Sequence, residues 1–385
     1  MKLCFICDSY QPIYDGVTRY LDYVIPALVK LGHEVTLVVP HFVGTKKIEK
    51  PMPGFTIKRS YTSHIENEGY WWAFPDKSAI NAIKKADFVL IHSLMPLGVL
   101  GGFISKIYKK KIGIFVHQDE RILLGKVLGL SSWLRNLSCT LIMKIYYPLL
   151  VNVYFHATKR FKQKLLDFQV PEKKIFQAKF AINRERFYDS EPKFPVRKTH
   201  NIPDNVTIAL YVGRLAKEKN IENLLKAFEI ALDKDPSLIA VFVGKGADWV
   251  KYTNKSWKNK DRMIFTGFVP DEHLPSYYQA ADFFISASLN ESSCFTVYEA
   301  MSCKLPVITS GYLHDDEIQH RENALLIDNV FDIEEITQKI LLMSKNEKLR
   351  EKIASAGKQL IDSQTWEKHA KSILKGIKMA IQEEI

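Results

Sequence analysis

The chain has 385 residues, of which 46% are hydrophobic and 25% are charged, and this composition excludes an intrinsically disordered protein. The length predicts two domains or one large one. The net charge of +11 is uneven, because residues 1–188 carry 28 Lys and Arg against 14 Asp and Glu, whereas the remainder carries 26 against 29. A basic first half indicates an anionic partner, such as nucleic acid, an anionic membrane surface or an acidic substrate.

The first half opens with a strand, helix and strand pattern. Lys2–Cys7 and Val35–Pro40 are apolar runs typical of strands, and Val17–Leu31 has helical spacing and ends before Gly32. Pro26 lies inside the helical pattern and is expected to kink it. Such a βαβ unit predicts a parallel sheet. Two further buried strands are predicted at Phe88–His92 and Ile112–His117.

The second half repeats this alternation after a break. Asp189–Asn205 is rich in Pro and charge and has no apolar period, which predicts an interdomain linker. The elements predicted after it are strands at Thr207–Val212, Ile239–Val243, Met263–Thr266, Asp282–Ala287 and Pro306–Thr309, and helices at Ile221–Leu232, His273–Ala281 and Thr296–Cys303. We therefore expect an α/β protein with domains at residues 1–190 and 205–365, a linker at 191–204, and a ligand in the cleft between the domains. An amphipathic C-terminal helix at about 366–385 has no obvious packing site in the second domain and is expected to cross back to the first.

The cysteines and the apolar runs indicate the cellular compartment that the protein occupies. Five cysteines, an odd number, favour free thiols in a reducing compartment. Cys4 and Cys7 form a CxxC within an apolar run, without a second CxxC for zinc, so the simpler interpretation is a buried strand. Asp8 interrupts the first apolar run too early for a secretory leader. Longer apolar runs contain residues such as Pro96 and Lys144, so no transmembrane helix is predicted.

Two stretches of the second domain have residues suited to a nucleotide sugar. Arg214 and Lys219 follow a strand and Gly213, a pattern that suits a diphosphate, although a solvated basic loop is the simpler alternative. Further along, a strand leads to Glu291 and then to a helix that carries Glu299, whose carboxylate can accept hydrogen bonds from sugar hydroxyls. The amides at that helix start predict a phosphate site formed by Cys294, Phe295, Thr296 and Val297.

Four ordered stretches carry a resemblance to a known family. They are DGVTRYL with LGHEVTLVVP, KIFQAKFAINRERF, YVGRLAKEKNIENLLKAF, and an E-x7-E segment with EAMSCKLPVI. Together they resemble GT-B glycosyltransferases of the large retaining family 4 (group 1), over nearly the whole chain, and bacterial glycosyl-diacylglycerol synthases in particular. The resemblance implies two Rossmann-like domains that face a central cleft, and a hexosyltransferase that uses a nucleotide sugar. It implies no cofactor and no metal.

The resemblance also implies roles for individual residues. Glu291 would contact the donor sugar and Glu299 the ribose, while Arg214 and Lys219 would hold the diphosphate. Negative charge develops on the departing nucleoside diphosphate, and this basic pair and the helix amides would stabilise it. No carboxylate pair suited to double-displacement hydrolysis is evident. The resemblance implies retention of the anomeric configuration by same-face attack.

In the first domain, Gly16 would allow close approach of the donor, and a histidine would lie near the reacting sugar. His117 fits that position best and His92 is its rival, so His117 and Glu291 are the expected catalytic residues. The chain departs from the family at several positions. Ser292, Ser293 and Cys294 replace Gly-Phe-Gly, Lys304 and Ala181 each replace a frequent Gly, and Lys245 stands where an acidic residue is frequent.

The first domain also has features of a membrane-binding surface. Lys109, Lys110 and Lys111 form a basic cluster, and Trp133 and Arg135 lie in a long apolar stretch. Leu134, Leu137, Leu141 and Ile145 share one helical face of that stretch. Basic and aromatic residues beside an apolar face favour an interfacial helix. Alternatively, the lysines cap a helix C-terminus and the apolar face belongs to the core.

These features lead to a ranked set of functions. The first is transfer of a hexose from UDP-glucose or UDP-galactose to a membrane lipid such as diacylglycerol, by a cytoplasmic protein bound peripherally to the inner face of the cell membrane. The second keeps the transferase but makes the acceptor a soluble or polyprenyl-linked glycan. A GT-B epimerase or phosphorylase comes third. A nucleic-acid binder ranks last, because the basic residues are dispersed and no nucleic-acid-binding module is recognised.

Overall fold

The computed structural model describes residues 1–13, 15–67, 70–117, 131, 133–134, 137, 140, 142–289, 291, 295–313 and 317–383. The chain divides into two units. Unit 1 comprises Met1–Phe180 and Thr365–Ile385, and unit 2 comprises Ala181–Gln364. Each unit has a sheet of mainly parallel strands with helices between them, so the predicted α/β class is confirmed.

Unit 1 is built on an eight-stranded sheet with the order β10-β9-β8-β7-β1-β2-β4-β3. Neighbouring strands are parallel, except that β3 is antiparallel to β4, and β5 and β6 form a separate antiparallel pair. Its strands are β1 (Lys2–Ile6), β2 (Glu34–Pro40), β3 (Ile48–Met52), β4 (Phe55–Ser60), β5 (Thr62–Asn67), β6 (Tyr70–Ala73), β7 (Phe88–Ile91), β8 (Lys111–Val116), β9 (Val153–His156) and β10 (Ile175–Gln177).

The helices of unit 1 lie between its strands, and the first of them matches the helix predicted at Val17–Leu31. They are α1 (Gly16–Lys30), α2 (Lys77–Lys85), α3 (Pro96–Ile107), a π-helix at Ile142–Tyr146, α4 (Tyr147–Leu150), α5 (Lys159–Asp167) and a 3-10 helix at Glu172–Lys174. The side chain of Asp15 accepts a hydrogen bond from the amide of Thr18 and caps α1, which continues through Pro26 without interruption. β7 is buried along its whole length and β1 is buried after its first residue, as expected for central parallel strands.

The CxxC cysteines belong to this buried sheet. Cys4 lies in β1 and Cys7 follows it, and both thiols are free and buried. Burial raises the pKa of Cys4 to about 12 and that of Cys7 well above its ordinary value. Thiols with such pKa values are largely protonated near pH 7 and therefore poor nucleophiles, so these two residues serve as part of the core.

Unit 2 contains a six-stranded parallel sheet with the order β13-β12-β11-β14-β15-β16. Its strands are β11 (Thr207–Val212), β12 (Leu238–Val243), β13 (Met263–Gly267), β14 (Phe283–Ser286), β15 (Val307–Ser310) and β16 (Leu325–Ile327). Its helices are α6 (Val196–Thr199), α7 (Ile221–Lys234), α8 (Trp249–Thr253), α9 (Leu274–Ala280), α10 (Phe295–Ser302), α11 (Ile333–Lys345) and α12 (Glu347–Asp362), with 3-10 turns at Lys217–Lys219, Lys260–Arg262 and Gly311–Leu313. Ile221, Leu224, Leu225 and Phe228 lie on one stripe of α7 and are fully buried, which is the amphipathic pattern that predicts this helix.

The stretch predicted as a linker is part of unit 2. The chain leaves unit 1 between Phe180 and Ala181, before residues 191–204. Within that stretch, the amide of Phe194 donates to Ser276 Oγ at 3.0 Å, and His200 Nε2 lies 2.8 Å from the Tyr277 hydroxyl. Residues of this stretch hydrogen-bond to α9 and stack on it, although they contribute no apolar period of their own.

The C-terminal helix α13 (Trp366–Gln382) belongs to unit 1, as predicted. The indole of Trp366 stacks on Tyr23 of α1 with ring centroids 5.4 Å apart. His369, Ile373 and Ile377 lie on one face of the helix and are buried. In the part of the chain that the structure describes, no helix is long and apolar enough to cross a membrane.

Candidate functional site

The order of the strands in unit 2 reverses between β11 and β14, where ligands bind in open parallel sheets. Two loops meet there, one after each strand. The amide of Leu289, in the loop after β14, donates to the carbonyl of Glu218, in the loop after β11, at 3.0 Å. The predicted donor residues of both loops are therefore neighbours in space.

Lys219 and Glu291 form an ion pair at this point. Lys219 Nζ lies 2.6 Å from Glu291 Oε1, and both side chains are largely buried, with 17% and 18% exposure. The hydroxyl of Ser288 donates to the same Glu291 oxygen at 2.7 Å. Ser288 is held in turn, because its carbonyl accepts hydrogen bonds from Ser310 Oγ and the Tyr312 hydroxyl, each at 2.9 Å. Sequence reasoning did not identify these three supporting residues, which are ordinary Ser and Tyr positions without a motif.

Arg214 is placed differently from Lys219. Its guanidinium donates to Glu218 Oε1 at 2.7 Å and is 68% exposed. A pair this exposed contributes little to stability. The guanidinium is therefore available to an anionic ligand after the loss of a weak surface contact, whereas Lys219 must be released from the largely buried Glu291 carboxylate.

Two glycines of the GKG segment bring the loops after β11 and β12 into contact. Gly244 has a φ of +122°, and a Cβ there would lie 2.3 Å from the carbonyl oxygen of Gly213. A Cβ at Gly246 would lie 2.3 Å from the carbonyl oxygen of Leu215. No other residue type fits such backbone contacts. Lys245, between them, points its ammonium toward the ring of Trp249, at 5.7 Å.

Helix α10 follows the loop that carries Glu291. Phe295, Thr296 and Val297 form its first turn, while Cys294, like Ser292 and Ser293, lies outside the described residues. Glu299 lies further along the helix, is 1% exposed, and accepts a hydrogen bond from the Tyr278 hydroxyl at 2.7 Å. The phosphate-binding role of the helix start and the ribose-binding role of Glu299 stay predictions.

In unit 1, the two histidines that the sequence analysis treated as rivals contact each other. His92 directly follows β7, His117 directly follows β8, and His92 Nδ1 lies 3.0 Å from His117 Nε2. Both rings are buried, with 3% and 4% exposure. Burial lowers the pKa of His92 to about 3 and that of His117 well below its ordinary value. Both imidazoles are therefore neutral at pH 7.

A third histidine borders this pair. His369 Nδ1 lies 2.8 Å from the carbonyl of Lys179, and its Nε2 lies 3.1 Å from the hydroxyl of Tyr20. Because a carbonyl only accepts, His369 carries its proton on Nδ1 and accepts at Nε2 from the Tyr20 hydroxyl. The Tyr20 ring meets the His117 ring edge-on, with centroids 4.7 Å apart. Burial lowers the pKa of His369 to about 4.

The loops after β1 and β7 meet at a buried carboxylate. Asp8 accepts hydrogen bonds from Ser93 Oγ at 2.6 Å and from the amides of Leu97 and Gly98 at 2.9 and 3.1 Å. It therefore caps α3, whose own N-cap residue makes no side-chain hydrogen bond. Burial raises the pKa of Asp8 to about 6, although these hydrogen bonds lower it.

Gly16 begins α1, and among the described residues no heavy atom lies within 4 Å of a Cβ added there.

The basic cluster 109–111 has structural roles. Lys109 has a φ of +52°, and the amides of Lys109 and Lys110 donate to the carbonyls of Lys106 and Ser105, which is a Schellman ending of α3. Lys110 Nζ donates to the carbonyl of Ala86 at 2.8 Å. Lys111 Nζ pairs with the exposed Glu383 at 2.7 Å. The helix-capping alternative therefore accounts for much of this cluster, and its membrane role stays a prediction.

Apolar side chains on α3 and the following helical segments are exposed. They are Leu100, Phe103, Ile107, Trp133, Leu134, Leu137, Ile145 and Leu149, with exposures between 39% and 74%. These side chains are not part of the core, contrary to the alternative considered from the sequence. Arg135 and Leu141 lie outside the described residues. Exposed apolar residues in such number on adjacent elements are typical of an interaction surface.

Two departures from the family pattern have a visible structural consequence. Lys304 adopts a φ of +58° at the end of α10, a left-handed conformation that favours Gly. Ala181 is buried and is not among the residues with positive φ, so a side chain is tolerated there.

Among the described residues, no group of three or more His, Cys, Asp and Glu side chains is arranged to hold a metal ion.

Comparisons with known proteins identify the family of this chain. The sequence model of Glycosyltransferase Family 4 matches residues 14–185, and that of Glycosyl transferases group 1 matches residues 193–360. The chain is 34% identical over 335 residues to the alpha-monoglucosyldiacylglycerol synthase of Streptococcus pneumoniae, covering 81% of this chain and 71% of that protein. It is 25% identical over 379 residues to the protein of the same name from Acholeplasma laidlawii, covering 91% of this chain and 93% of that protein.

The fold is shared with a solved structure. HepE of Anabaena, in complex with UDP, superposes with a TM-score of 0.75 at 14% identity, over 98% of this chain and 100% of that chain. Both family models and the close relative agree with the two parallel sheets and the ordered motifs. The chain belongs to the family 4 (group 1) glycosyltransferases and has the GT-B fold.

Proposed function

We propose that this glycosyltransferase moves a hexose from UDP-glucose or UDP-galactose to a membrane lipid such as diacylglycerol, with retention of configuration and without a metal ion. The proposed use of a nucleotide-sugar donor rests on one observation. This is the Lys219–Glu291 pair at the point where the strand order of unit 2 reverses. A cation and a carboxylate there suit the diphosphate and the hydroxyls of a nucleotide sugar. UDP in the solved structure of HepE and glucosyl transfer in the names of two relatives favour a UDP-hexose.

The charge that stabilises the leaving diphosphate comes from unit 2 in this proposal. The histidines of unit 1 are neutral at pH 7, because burial lowers their pKa values. Lys219 and Arg214 supply the positive charge, and the first amides of α10 add to it. Glu291, freed from Lys219 when the diphosphate binds, accepts hydrogen bonds from hydroxyls of the hexose.

Thermal unfolding of the purified protein with UDP, GDP and their sugars is the first test. A ligand that binds only the folded state raises the melting temperature. We expect a shift with UDP and its hexoses, and transfer of radiolabelled glucose or galactose to diacylglycerol in vesicles. A shift with UDP but transfer only to a soluble or polyprenyl-linked glycan would support the second acceptor class. Conversion of the donor to its epimer would contradict a transferase.

The lipid acceptor requires contact with the inner face of the cell membrane. The exposed apolar side chains on α3, with Lys106 and Lys109 beside them, provide such a surface. Basic residues add electrostatic attraction to anionic lipid, and the apolar residues add burial in the interface. The side chains of Lys110 and Lys111 have partners within the protein, so substituting them would also remove structural contacts. Lys106 and Lys109 are therefore the better positions at which to test membrane binding.

Sedimentation with vesicles of anionic and neutral lipid measures this contact. We expect Phe103→Ser to weaken binding at every salt concentration, and the Lys106→Gln and Lys109→Gln pair to weaken it mainly at low salt. Phe331→Ser is the matched control, since Phe331 is a 66% exposed aromatic residue of unit 2. Equal loss in the Phe103 and Phe331 variants would contradict a membrane surface on α3.

A further inference from the structure

Unit 1 contains a cavity of about 420 Å³ beside the carboxyl ends of β9 and β10. Its lining comes from residues 156–177, and therefore from unit 1 alone. The volume is typical of sites that bind small molecules. His156 and Gln177, which are partners in register, end the two strands here, and ligands of parallel sheets bind beside such strand ends. None of the residues assigned to the donor or to the membrane surface lines this cavity.

His156 supplies a hydrogen-bond acceptor to the cavity. The residue is only 1% exposed, and its Nδ1 lies 2.9 Å from the carbonyl of Thr158. Because a carbonyl only accepts, Nδ1 carries the proton. Burial, together with the charge of Lys162, lowers the pKa of His156 to about 4, although the hydrogen bond to Thr158 raises it. The ring is therefore neutral at pH 7, and Nε2 is a lone pair.

Nε2 of His156 is the ring nitrogen that remains for a ligand. Among the described residues it has no hydrogen-bonding partner. A buried acceptor that is left without a donor costs about 1–3 kcal/mol. A molecule that places a hydroxyl in the cavity would satisfy it.

Two lysines of α5 make the cavity positive. Lys159 and Lys162 both line it, and their spacing of three positions puts them on one face of the helix. Lys162 Nζ pairs with Glu172 Oε1 at 2.5 Å, but the two side chains are 37% and 68% exposed. A pair this exposed contributes little to stability, so an anionic ligand can replace Glu172 at the ammonium.

The start of α5 favours an anion as well. Its N-cap residue, Thr158, makes no side-chain hydrogen bond, and its first turn, which the structure describes in full, has no acidic residue. The helix dipole is therefore uncompensated by a carboxylate within the helix at this end. Two ammonium groups and a helix N-terminus together suit the charge of a phosphate group.

The remaining lining limits the size and type of the ligand. Leu166 and Ile175 provide apolar contact for a short carbon skeleton. No Phe, Tyr or Trp is among the described residues that line the cavity, so a nucleobase would find no such ring on which to stack. The lining fits a small phosphate ester with hydroxyl groups better than it fits a nucleotide.

We propose that this cavity binds a phosphorylated polyol, whose phosphate lies between Lys159 and Lys162 and whose hydroxyl donates a hydrogen bond to His156 Nε2. The inference goes beyond the proposed function, because it uses none of the donor residues of unit 2. The same chemistry occurs in a free ester such as glycerol 3-phosphate and in the headgroup of a lipid such as phosphatidylglycerol.

Isothermal titration of the full-length protein tests the ligand class. We expect glycerol 3-phosphate to bind at least about fivefold more tightly than inorganic phosphate, because its hydroxyl reaches His156 while its phosphate stays between the lysines. Glycerol should not bind measurably, since it has no charge. In protein with ¹⁵N-labelled histidine, glycerol 3-phosphate should shift the Nε2 resonance of His156.

Three variants locate the binding. Lys162→Gln should weaken glycerol 3-phosphate binding about tenfold, the loss of one charge-assisted hydrogen bond. Lys173→Gln is the matched control, because it removes the same charge from an exposed lysine that does not line the cavity. Its affinity should stay within about twofold of the wild type. His156→Phe should reduce the affinity for glycerol 3-phosphate to that for inorganic phosphate. If this variant does not fold, the two lysine variants still decide.

Sedimentation with vesicles separates the two sources of the phosphate ester. The vesicles contain phosphatidylcholine with or without phosphatidylglycerol. Weaker sedimentation of Lys162→Gln than of Lys173→Gln, only with phosphatidylglycerol, would assign the cavity to the lipid headgroup. Binding of free glycerol 3-phosphate with equal sedimentation of both variants would assign it to a soluble ester.

Two results would overturn the inference. One is the absence of glycerol 3-phosphate binding together with equal sedimentation of the two lysine variants. The other is an equal loss of affinity in Lys162→Gln and Lys173→Gln, which would indicate general attraction to a basic surface. Lys219→Ala should bind glycerol 3-phosphate as the wild type does, so a failure of the donor assignment would leave this test intact.

Discussion

Lys219 and Glu291 are 72 positions apart in the sequence, and their side chains meet at 2.6 Å where two loops of unit 2 converge. The carboxylate receives a second hydrogen bond from Ser288. If a donor diphosphate binds at Lys219, as proposed, it competes with Glu291 for the ammonium. The competition would release a carboxylate oxygen of Glu291 for a sugar hydroxyl.

Replacing either member of this pair tests the donor site. We expect Lys219→Ala and Glu291→Ala each to lower transfer by at least about 100-fold, because a charge that stabilises the leaving group or orients the sugar is lost. The melting temperature should fall while each variant stays folded, because the substitution leaves the other, largely buried charge without its partner. Initial rates with a UDP-hexose and melting curves measure both effects.

The control is a lysine pair of the same unit. Lys251 Nζ lies 2.8 Å from Glu222 Oε2, and both side chains are about half exposed. Lys251→Ala should keep wild-type rates. Wild-type turnover in Lys219→Ala, or an equal loss in Lys251→Ala, would contradict the donor assignment.

Glycine substitutions separate ligand contact from folding. Gly16→Ala should leave stability unchanged or raise it by up to about 1 kcal/mol, because the new Cβ meets no atom within 4 Å among the described residues and Ala favours a helix. If the donor approaches this backbone closely, the affinity for UDP falls while the protein stays folded. Isothermal titration with UDP measures the affinity, and denaturant unfolding measures the stability.

Gly244→Ala, unlike Gly16→Ala, is expected to destabilise the protein. Its Cβ would lie 2.3 Å from the carbonyl oxygen of Gly213, and the φ of +122° is strained for any L-residue. We expect a loss of stability of about 2 kcal/mol or more, together with weaker UDP binding. A Gly244→Ala protein as stable as the wild type would show that the loops after β11 and β12 are not in contact as described.

Lys304 is a site where the family's frequent Gly should be stabilising. The residue has a φ of +58°, and its amide donates to the carbonyl of Met301 at the end of α10. A left-handed conformation costs an L-residue roughly 1–2 kcal/mol, and the larger chain entropy of Gly offsets part of this. Lys304→Gly should therefore raise the free energy of unfolding by up to about 1 kcal/mol, whereas Lys304→Ala should not.

Acid should destabilise unit 1 through its buried histidines. Burial lowers the folded-state pKa of His92 to about 3 and that of His369 to about 4, from an ordinary value of 6.5. Unfolded histidines bind protons below about pH 6.5 while the folded ones do not, so the free energy of unfolding falls as the pH decreases toward 4. Each contributes at most about 1.4 kcal/mol per pH unit. Asp8 has the opposite effect, because burial raises its folded-state pKa to about 6. Below pH 6 the folded protein takes up this proton before the unfolded chain does, so this group increases the free energy of unfolding as the pH falls.

Denaturant unfolding between pH 7 and pH 5 measures this slope. His369→Gln removes one titrating group, so its stability should depend on pH less steeply than that of the wild type, whatever its stability at pH 7. A variant with an unchanged slope would mean that His369 titrates alike in the folded and unfolded chain.

The sequence by itself determined the central strands, several of the helices and the α/β class. Apolar runs such as β12 and the periodic pattern of α7 are local properties, and the βα alternation requires parallel sheets in both units. The C-terminal helix was assigned to unit 1 because its apolar face had no partner elsewhere, and it lies there. The ordered motifs were enough to identify the family, since their combined spacing is specific.

Only the tertiary structure decided which of the candidate site residues meet. The contact between His92 and His117 depends on the adjacency of β7 and β8, which no spacing reveals, and sequence reasoning therefore treated the two as rivals. The support of Glu291 by Ser288 and the carbonyl partner of Lys110 likewise depend on long-range contacts. Local patterns set where strands and helices form. Which side chains meet, and which are buried and neutral, depends on how distant segments pack, because hydrogen bonds and desolvation act through space rather than along the chain.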